Sequence, residues 1–129
     1  MLMLIRDIRD AGDHDRERVV LQAKTDLEAG AYVLIAARSA ASGKALGGPV
    51  PFCFWFPDTV VRAGDLLVLY SKPGVTTQKD NAAGGASHFF YWGLEAPIWH
   101  ADNLRPVLIE AAQWQALAKT TAALEHHEP

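Results

Sequence analysis

Residues 51–72, PFCFWFPDTVVRAGDLLVLYSK, hold two dense apolar runs joined by turn-forming residues, and no other stretch narrows the choice of fold as far. Phe52-Cys53-Phe54-Trp55-Phe56 is too short for a stable helix, is rich in aromatics, and is closed by Pro57, which disfavours helical geometry at Phe56. The second run, Leu66-Leu67-Val68-Leu69-Tyr70, follows Ala63-Gly64-Asp65, where Gly64 is free to take a positive φ as the chain reverses. The stretch predicts two core strands and their connection.

The remaining chain supplies partners for them. Leu2 to Ile8 predicts a short strand, ended by the turn-rich Ala11-Gly12-Asp13-His14-Asp15, and Arg18 to Lys24 predicts another. Tyr32 to Ala37 is aromatic and β-branched, as strands are, and its continuous apolar character predicts cover on both faces. Residues 39–50 turn to Ser, Ala, Gly and Pro, a connection between strands. Pro73 to Ser87, PGVTTQKDNAAGGAS, has no apolar periodicity and predicts a long loop, a kind that is usually functional or disordered. His88-Phe89-Phe90-Tyr91-Trp92 is the most aromatic run. Period two puts Phe89 and Tyr91 on one face and His88, Phe90 and Trp92 on the other, so one face needs a covering loop or a partner. Pro106 to Ile109 predicts a last strand, and the helix formers of AAQWQALAKTTAALE, with Trp114, Leu117 and Leu124 at compatible spacings, predict a short C-terminal helix.

About eight strands at turn-punctuated intervals, without a βαβ rhythm, predict an all-β fold, an antiparallel β-sandwich. The 129 residues, half of them apolar, suit one domain over 1–129, with a sandwich over about 2–110 and a helix or tail over about 111–129. Twelve basic and fifteen acidic residues give a net charge of -3, and no Lys or Arg stripe follows a phosphate backbone, so nucleic acid is not an expected partner. The one cysteine, Cys53, excludes an intrachain disulfide and is expected as a buried hydrophobe. Arg6, Asp7, Arg9 and Asp10 interrupt the apolar start too early for a secretion signal, and no apolar segment is long enough to span a bilayer. The expected location is cytoplasmic.

VVLQ, DLEAGAY with Gly30 before an aromatic, FWFPDTVVRAGDLLVLYSKPG, FYWG and Ile98-Trp99 before a closing VLI together resemble the lamin tail domain over about Arg18 to Ile109. Phe54-Trp55-Phe56-Pro57 followed by Ala63-Gly64-Asp65-Leu66-Leu67-Val68-Leu69 carries most of that likeness. The resemblance implies an immunoglobulin-like antiparallel sandwich used for attachment, without chemistry of its own. The chain departs from the family pattern at Tyr32, where Trp is usual, and in the insertion over Pro73 to Ser87, and it has no coiled-coil rod.

Candidate chemistry is sparse. His14, His88 and His100 with Asp80 or Asp102 fit no metal-ligand spacing, and neither Ser71 nor Ser87 sits in a Gly-x-Ser-x-Gly elbow beside a base. Gly47-Gly48 and Gly84-Gly85 do not lead from a strand into a helix with a following Lys, so they are not phosphate loops. The expectation is therefore a non-catalytic module, with no cofactor or metal, that binds a protein or a second copy of itself through the 73–87 loop and the adjoining aromatic strand. Lys79, Asp80, Asn81, His88, Tyr91, Trp92 and Trp99 are its candidate contact residues. The alternative is a small carbohydrate-binding or metal-dependent protein using the same end of the sandwich, with Tyr91, Trp92 and Trp99 stacking on a sugar ring.

Overall fold

Alternation along each strand sends one row of apolar side chains inward, and the computed structural model, which describes residues 1–118, closes these rows into an all-β sandwich. The strands are β1 (Met3–Arg9), β2 (Arg18–Ala23), β3 (Leu27–Glu28), β4 (Tyr32–Arg38), β5 (Phe52–Trp55), β6 (Val60–Val61), β7 (Leu66–Tyr70), β8 (Thr77–Asp80), β9 (Ala86–Tyr91) and β10 (Leu104–Glu110). A five-stranded sheet in the order β1-β2-β7-β9-β8 faces a three-stranded sheet, β10-β4-β5, and the pair β3-β6 closes one end.

The two strands of the opening stretch, β5 and β7, lie in opposite layers. Leu67 and Leu69 of β7 join Val19 and Leu21 of β2 on one inner face, and Tyr32, Leu34 and Ala36 of β4 meet them from the other. Between the layers Phe56 packs edge-on against Phe54 at 5.2 Å and against Phe90 of β9 at 5.1 Å, the geometry that aromatic quadrupoles favour. Gly64 takes a φ of 88°, so the turn into β7 uses the freedom expected of it.

Four expectations are corrected. The sandwich is not wholly antiparallel, because β7 and β9 run parallel, Leu66 opposite Ser87 through Tyr70 opposite Tyr91. The 73–87 segment is not a long loop: Thr77–Asp80 forms β8 and pairs antiparallel with β9, Thr77 opposite Phe89 and Asp80 opposite Ala86. Both follow from one route, in which the chain leaves β7, crosses the end of β9, runs back as β8 at the sheet edge and returns as β9. All four β8 residues are exposed, so nothing selects apolar side chains there and no periodicity betrays the strand. Cys53 is exposed, because inward-facing Phe52 and Phe54 turn it to the outer face of an edge strand. Residues 111–118 contain no helix, and the rest of the expected C-terminal helix lies outside the described residues.

The crossover depends on one glycine. A Cβ on Gly74 would stand 2.3 Å from Cδ1 of Tyr91, whose ring is stacked on Tyr70 at 5.3 Å and 10° between planes and so has little room to retreat. Gly74→Ala is expected to cost about 2 kcal/mol in urea unfolding through overpacking, and Tyr91→Ala in the same chain should recover at least half of that loss. Equal losses in the single and double variants would disprove the contact.

Candidate functional site

Two buried carboxylates stand at the ends of β7. Glu17, fully buried, precedes β2, and its side chain accepts four hydrogen bonds: from the backbone N–H groups of Gly12, Ile98 and Trp99, each at 2.9 Å, and from the Ser71 hydroxyl at 2.5 Å. It thereby ties the β1–β2 turn, the residue after β7 and the 98–99 segment to one point. Asp65, immediately before β7, accepts from Arg62 N–H at 3.2 Å, Ala86 N–H at 3.0 Å and His88 Nε2 at 2.9 Å. An ionised Asp65 requires the proton on Nε2 of His88.

Burial alone would raise the pKa of both acids. For Glu17, the bonds from Ser71, Gly12, Ile98 and Trp99 outweigh it and hold the carboxyl below its ordinary value of 4.5. For Asp65, the bonds from His88, Ala86 and Arg62 do the same against an ordinary value of 3.8. Each acid is therefore an ionised acceptor whose oxygens are engaged by donors of the protein itself.

The predicted contact residues separate into three groups. Lys79 and Asp80 are exposed on β8. Asn81 starts the hairpin turn, its Oδ1 accepting from the Ser87 hydroxyl at 2.9 Å and its N–H bonding Gly85 O at 2.9 Å. Tyr91 is half-buried on the outer face, locked in a row in which the Arg18 guanidinium lies over the Tyr70 ring at 5.9 Å, Tyr70 stacks on Tyr91, and Gly74 covers the far side. Lys72 Nζ adds a second cation at 5.0 Å from the Tyr70 ring.

His88 and Trp99 belong to the interior instead, and Trp92 is half-buried against it. His88 is 3% exposed and Trp99 6%, and Trp92 packs among Phe52, Phe54 and Trp99 at 6.0 to 6.4 Å. Burial removes His88 and Trp99 from any contact surface, because period two turns His88 and Phe90 together into the core. The indole N–H of Trp99 has no hydrogen-bond partner among the described residues.

The candidate ligand clusters do not assemble. His14 Nε2 bonds Leu94 O at 2.7 Å and His88 is committed to Asp65. Among the described residues no three His, Cys, Asp or Glu side chains gather to hold a metal ion. Ser71 is bound to Glu17, and Ser87 faces away from His88 on the same strand, so neither has that imidazole as a base. An open cleft of about 600 Å3 is lined by Asp10, Asp15, Arg16, Arg18, Tyr70 and Lys72. Its charges are mixed, Arg18 is paired to Asp10 at 2.8 Å, and both faces of the Tyr70 ring are already used. Among the described residues no helix is long and apolar enough to cross a membrane.

Sequence reasoning missed Glu17, whose neighbours Asp13, Asp15, Arg16 and Arg18 make it look like part of a solvated charge run. Only its position against Ser71 and the 98–99 backbone reveals the role.

Because both folded-state carboxyl pKa values are depressed, their contribution to stability is complete above the ordinary carboxylate range. It is lost as pH falls through the lowered values, where the unfolded chain takes up more protons. Urea midpoints should therefore fall steeply below about pH 4.5. Glu17→Gln, which sets an amide NH2 against backbone donors, should lose about 3 kcal/mol at pH 7 and flatten that acid slope; an unchanged slope would exclude Glu17 as its source.

No protein-family model matches the chain and no curated protein matches it, so its function is read from the geometry above.

Proposed function

We propose that this chain is a non-catalytic interaction module, an immunoglobulin-like sandwich of lamin-tail type that binds a protein partner through the β8–β9 hairpin and the sheet edge it forms. The observation that carries this reading is β8 itself. Thr77, Gln78, Lys79 and Asp80 are all exposed, hydrogen-bonded to β9 on one side only, and lie at the end of the five-stranded sheet.

The hairpin is also held firmly enough to present a shape. Asn81 and Ser87 bond across its turn, and the stacked tyrosines pin the crossover that leads into it. A preformed surface loses less conformational entropy on association than a floppy loop. Support for a non-catalytic role comes from the buried polar groups: Glu17, Asp65, Ser71, Ser87 and His88 all bond one another or nearby backbone and side-chain groups. The contact set accordingly contracts to Lys79, Asp80 and Asn81, with exposed Val75 beside them. The carbohydrate or metal alternative has less support, since of its stacking rings Trp99 is buried and only Tyr91 and Trp92 are partly exposed, and among the described residues no three metal-ligating side chains gather.

The double variant Lys79→Asp/Asp80→Lys keeps the net charge and alters only exposed side chains, so its stability should stay within about 0.5 kcal/mol of the parent. A protein partner captured from the native cell with the parent chain should bind the swapped chain at least tenfold more weakly by calorimetry. An unchanged Kd would place the contact elsewhere.

A further inference from the structure

Val19, Leu21, Leu67, Leu69 and Phe90 face the core, so alternation turns their neighbours to the outer face of the five-stranded sheet. Register sets those neighbours in rows across the strands. One row runs Gln22, Leu66, Ser87, Lys79, the next Asp7, Val20, Val68, Phe89, Thr77, and the last Arg9, Arg18, Tyr70, Tyr91. The middle of this face is apolar, with Val20 and Val68 buried among their neighbours and Leu66, Phe89 and Tyr70 half-buried. Among the described residues no strand packs on it, and Trp114 lies against the other layer, 5.0 Å from Trp55 of β5.

The bulge in β1 charges one side of that face. Strict alternation from inward-facing Ile5 would send Asp7 and Arg9 inward and Ile8 outward; the extra residue reverses the phase, so Arg6, Asp7 and Arg9 all stand outside and Ile8 packs on the core. Arg6 then bonds the Gln22 side chain. In a chain of net charge -3, half of the twelve basic residues lie on this face or at its rim: Arg6, Arg9, Arg16, Arg18, Lys72 and Lys79. Beside them stand Asp7, Asp10 and Asp15. Asp7 is paired to Arg9 at 3.4 Å and Asp10 to Arg18 at 2.8 Å, whereas among the described residues no carboxylate lies within ion-pairing distance of Arg6, Arg16, Lys72 or Lys79.

Resting on the interaction-module reading above, we propose that this outer face receives an acidic, extended segment of the protein partner. It crosses the strands from Lys79 to Arg6, sets an apolar side chain on Leu66, Val68 and Phe89, and offers carboxylates to the unpaired cations at the rim, those of Arg16 and Lys72 included. Five strands about 4.8 Å apart make the face roughly 19 Å wide, which about six residues of extended chain cover at ~3.3 Å each. Lys79 belongs to this face and to the hairpin, so one partner can engage both. A nucleic-acid strand suits the face less well. Arg18 and Tyr91 occupy the two sides of the Tyr70 ring and Gly74 lies on Tyr91, so these rings give bases no open platform, and Asp7, Asp10 and Asp15 break up the cations that phosphates would follow.

An NMR titration of the isotope-labelled whole chain tests this. The probe is the acetylated, amidated peptide Glu-Asp-Glu-Leu-Glu-Asp-Glu, with Gln-Asn-Gln-Leu-Gln-Asn-Gln as its uncharged control and a short oligothymidylate as the nucleic-acid arm. The acidic peptide should bind at low salt, weaken at least fivefold at about 0.5 M salt, and shift the amide signals of Val20, Leu66, Val68 and Phe89 while those of β4 and β10 stay in place. The control should bind at least tenfold more weakly. Arg6→Gln with Arg16→Gln alters two exposed side chains and should weaken the acidic peptide at least fivefold at an unchanged urea midpoint; if that variant fails to fold, Lys72→Gln serves in its place. No binding of the acidic peptide at millimolar concentration, equal binding of the control, or shifts centred on other strands would overturn the proposal, and tighter binding of the oligothymidylate would overturn it in favour of nucleic acid. Each of these results leaves the hairpin reading standing, because that is decided by the Lys79/Asp80 exchange with the native partner.

Discussion

A carboxylate at each end of β7 holds the sandwich in register. The Glu17 side chain gathers the turn after β1, the end of β7 and the long connection to β10, while Asp65 gathers the start of β7, the start of β9 and the imidazole of His88. Both charges are removed from water, an expensive arrangement unless every oxygen is well supplied with donors. Here the donors are mostly backbone N–H groups of irregular segments, which would themselves be costly to bury unpaired. Each acid thus offsets two liabilities at once, and the loops at the two ends of the molecule take one conformation.

With its ends tied, the five-stranded sheet can carry an edge strand that contributes nothing to the core. β8 is held by its ladder to β9, by the Asn81–Ser87 bond and by the crossover resting on Tyr91. A strand exposed on both faces adds no hydrophobic stabilisation, so these three contacts, and not burial, keep it in place. The outer face shows similar economy, with Arg18, Tyr70 and Tyr91 stacked across three strands and Gly74 laid over the last ring.

Residues that face one way along a strand were legible because alternation is a local property. The inward pair His88 and Phe90, the outward pair Phe89 and Tyr91, and the reversal at Gly64 all follow from spacing and backbone chemistry. Cys53 shows where that reasoning stops. A small apolar residue among aromatics looks buried, but which face of its strand turns inward, and whether anything packs on the other, is decided by the layers and not by the run itself. Trp99 and His88 look like contact residues for the reverse reason: an aromatic or an imidazole beside a polar segment carries no mark of the layer above it.

The amino-acid order alone determined that this chain forms strands, where most of them begin and end, and which side chains share a face, because pleating and turn chemistry act over a few neighbouring residues. Only the tertiary structure decided the parallel pairing of β7 with β9, the edge strand β8, and the burial of Glu17 and Asp65. Those depend on contacts between residues far apart along the chain, Glu17 with Ser71 and Trp99 among them, and nothing in a local window encodes such meetings.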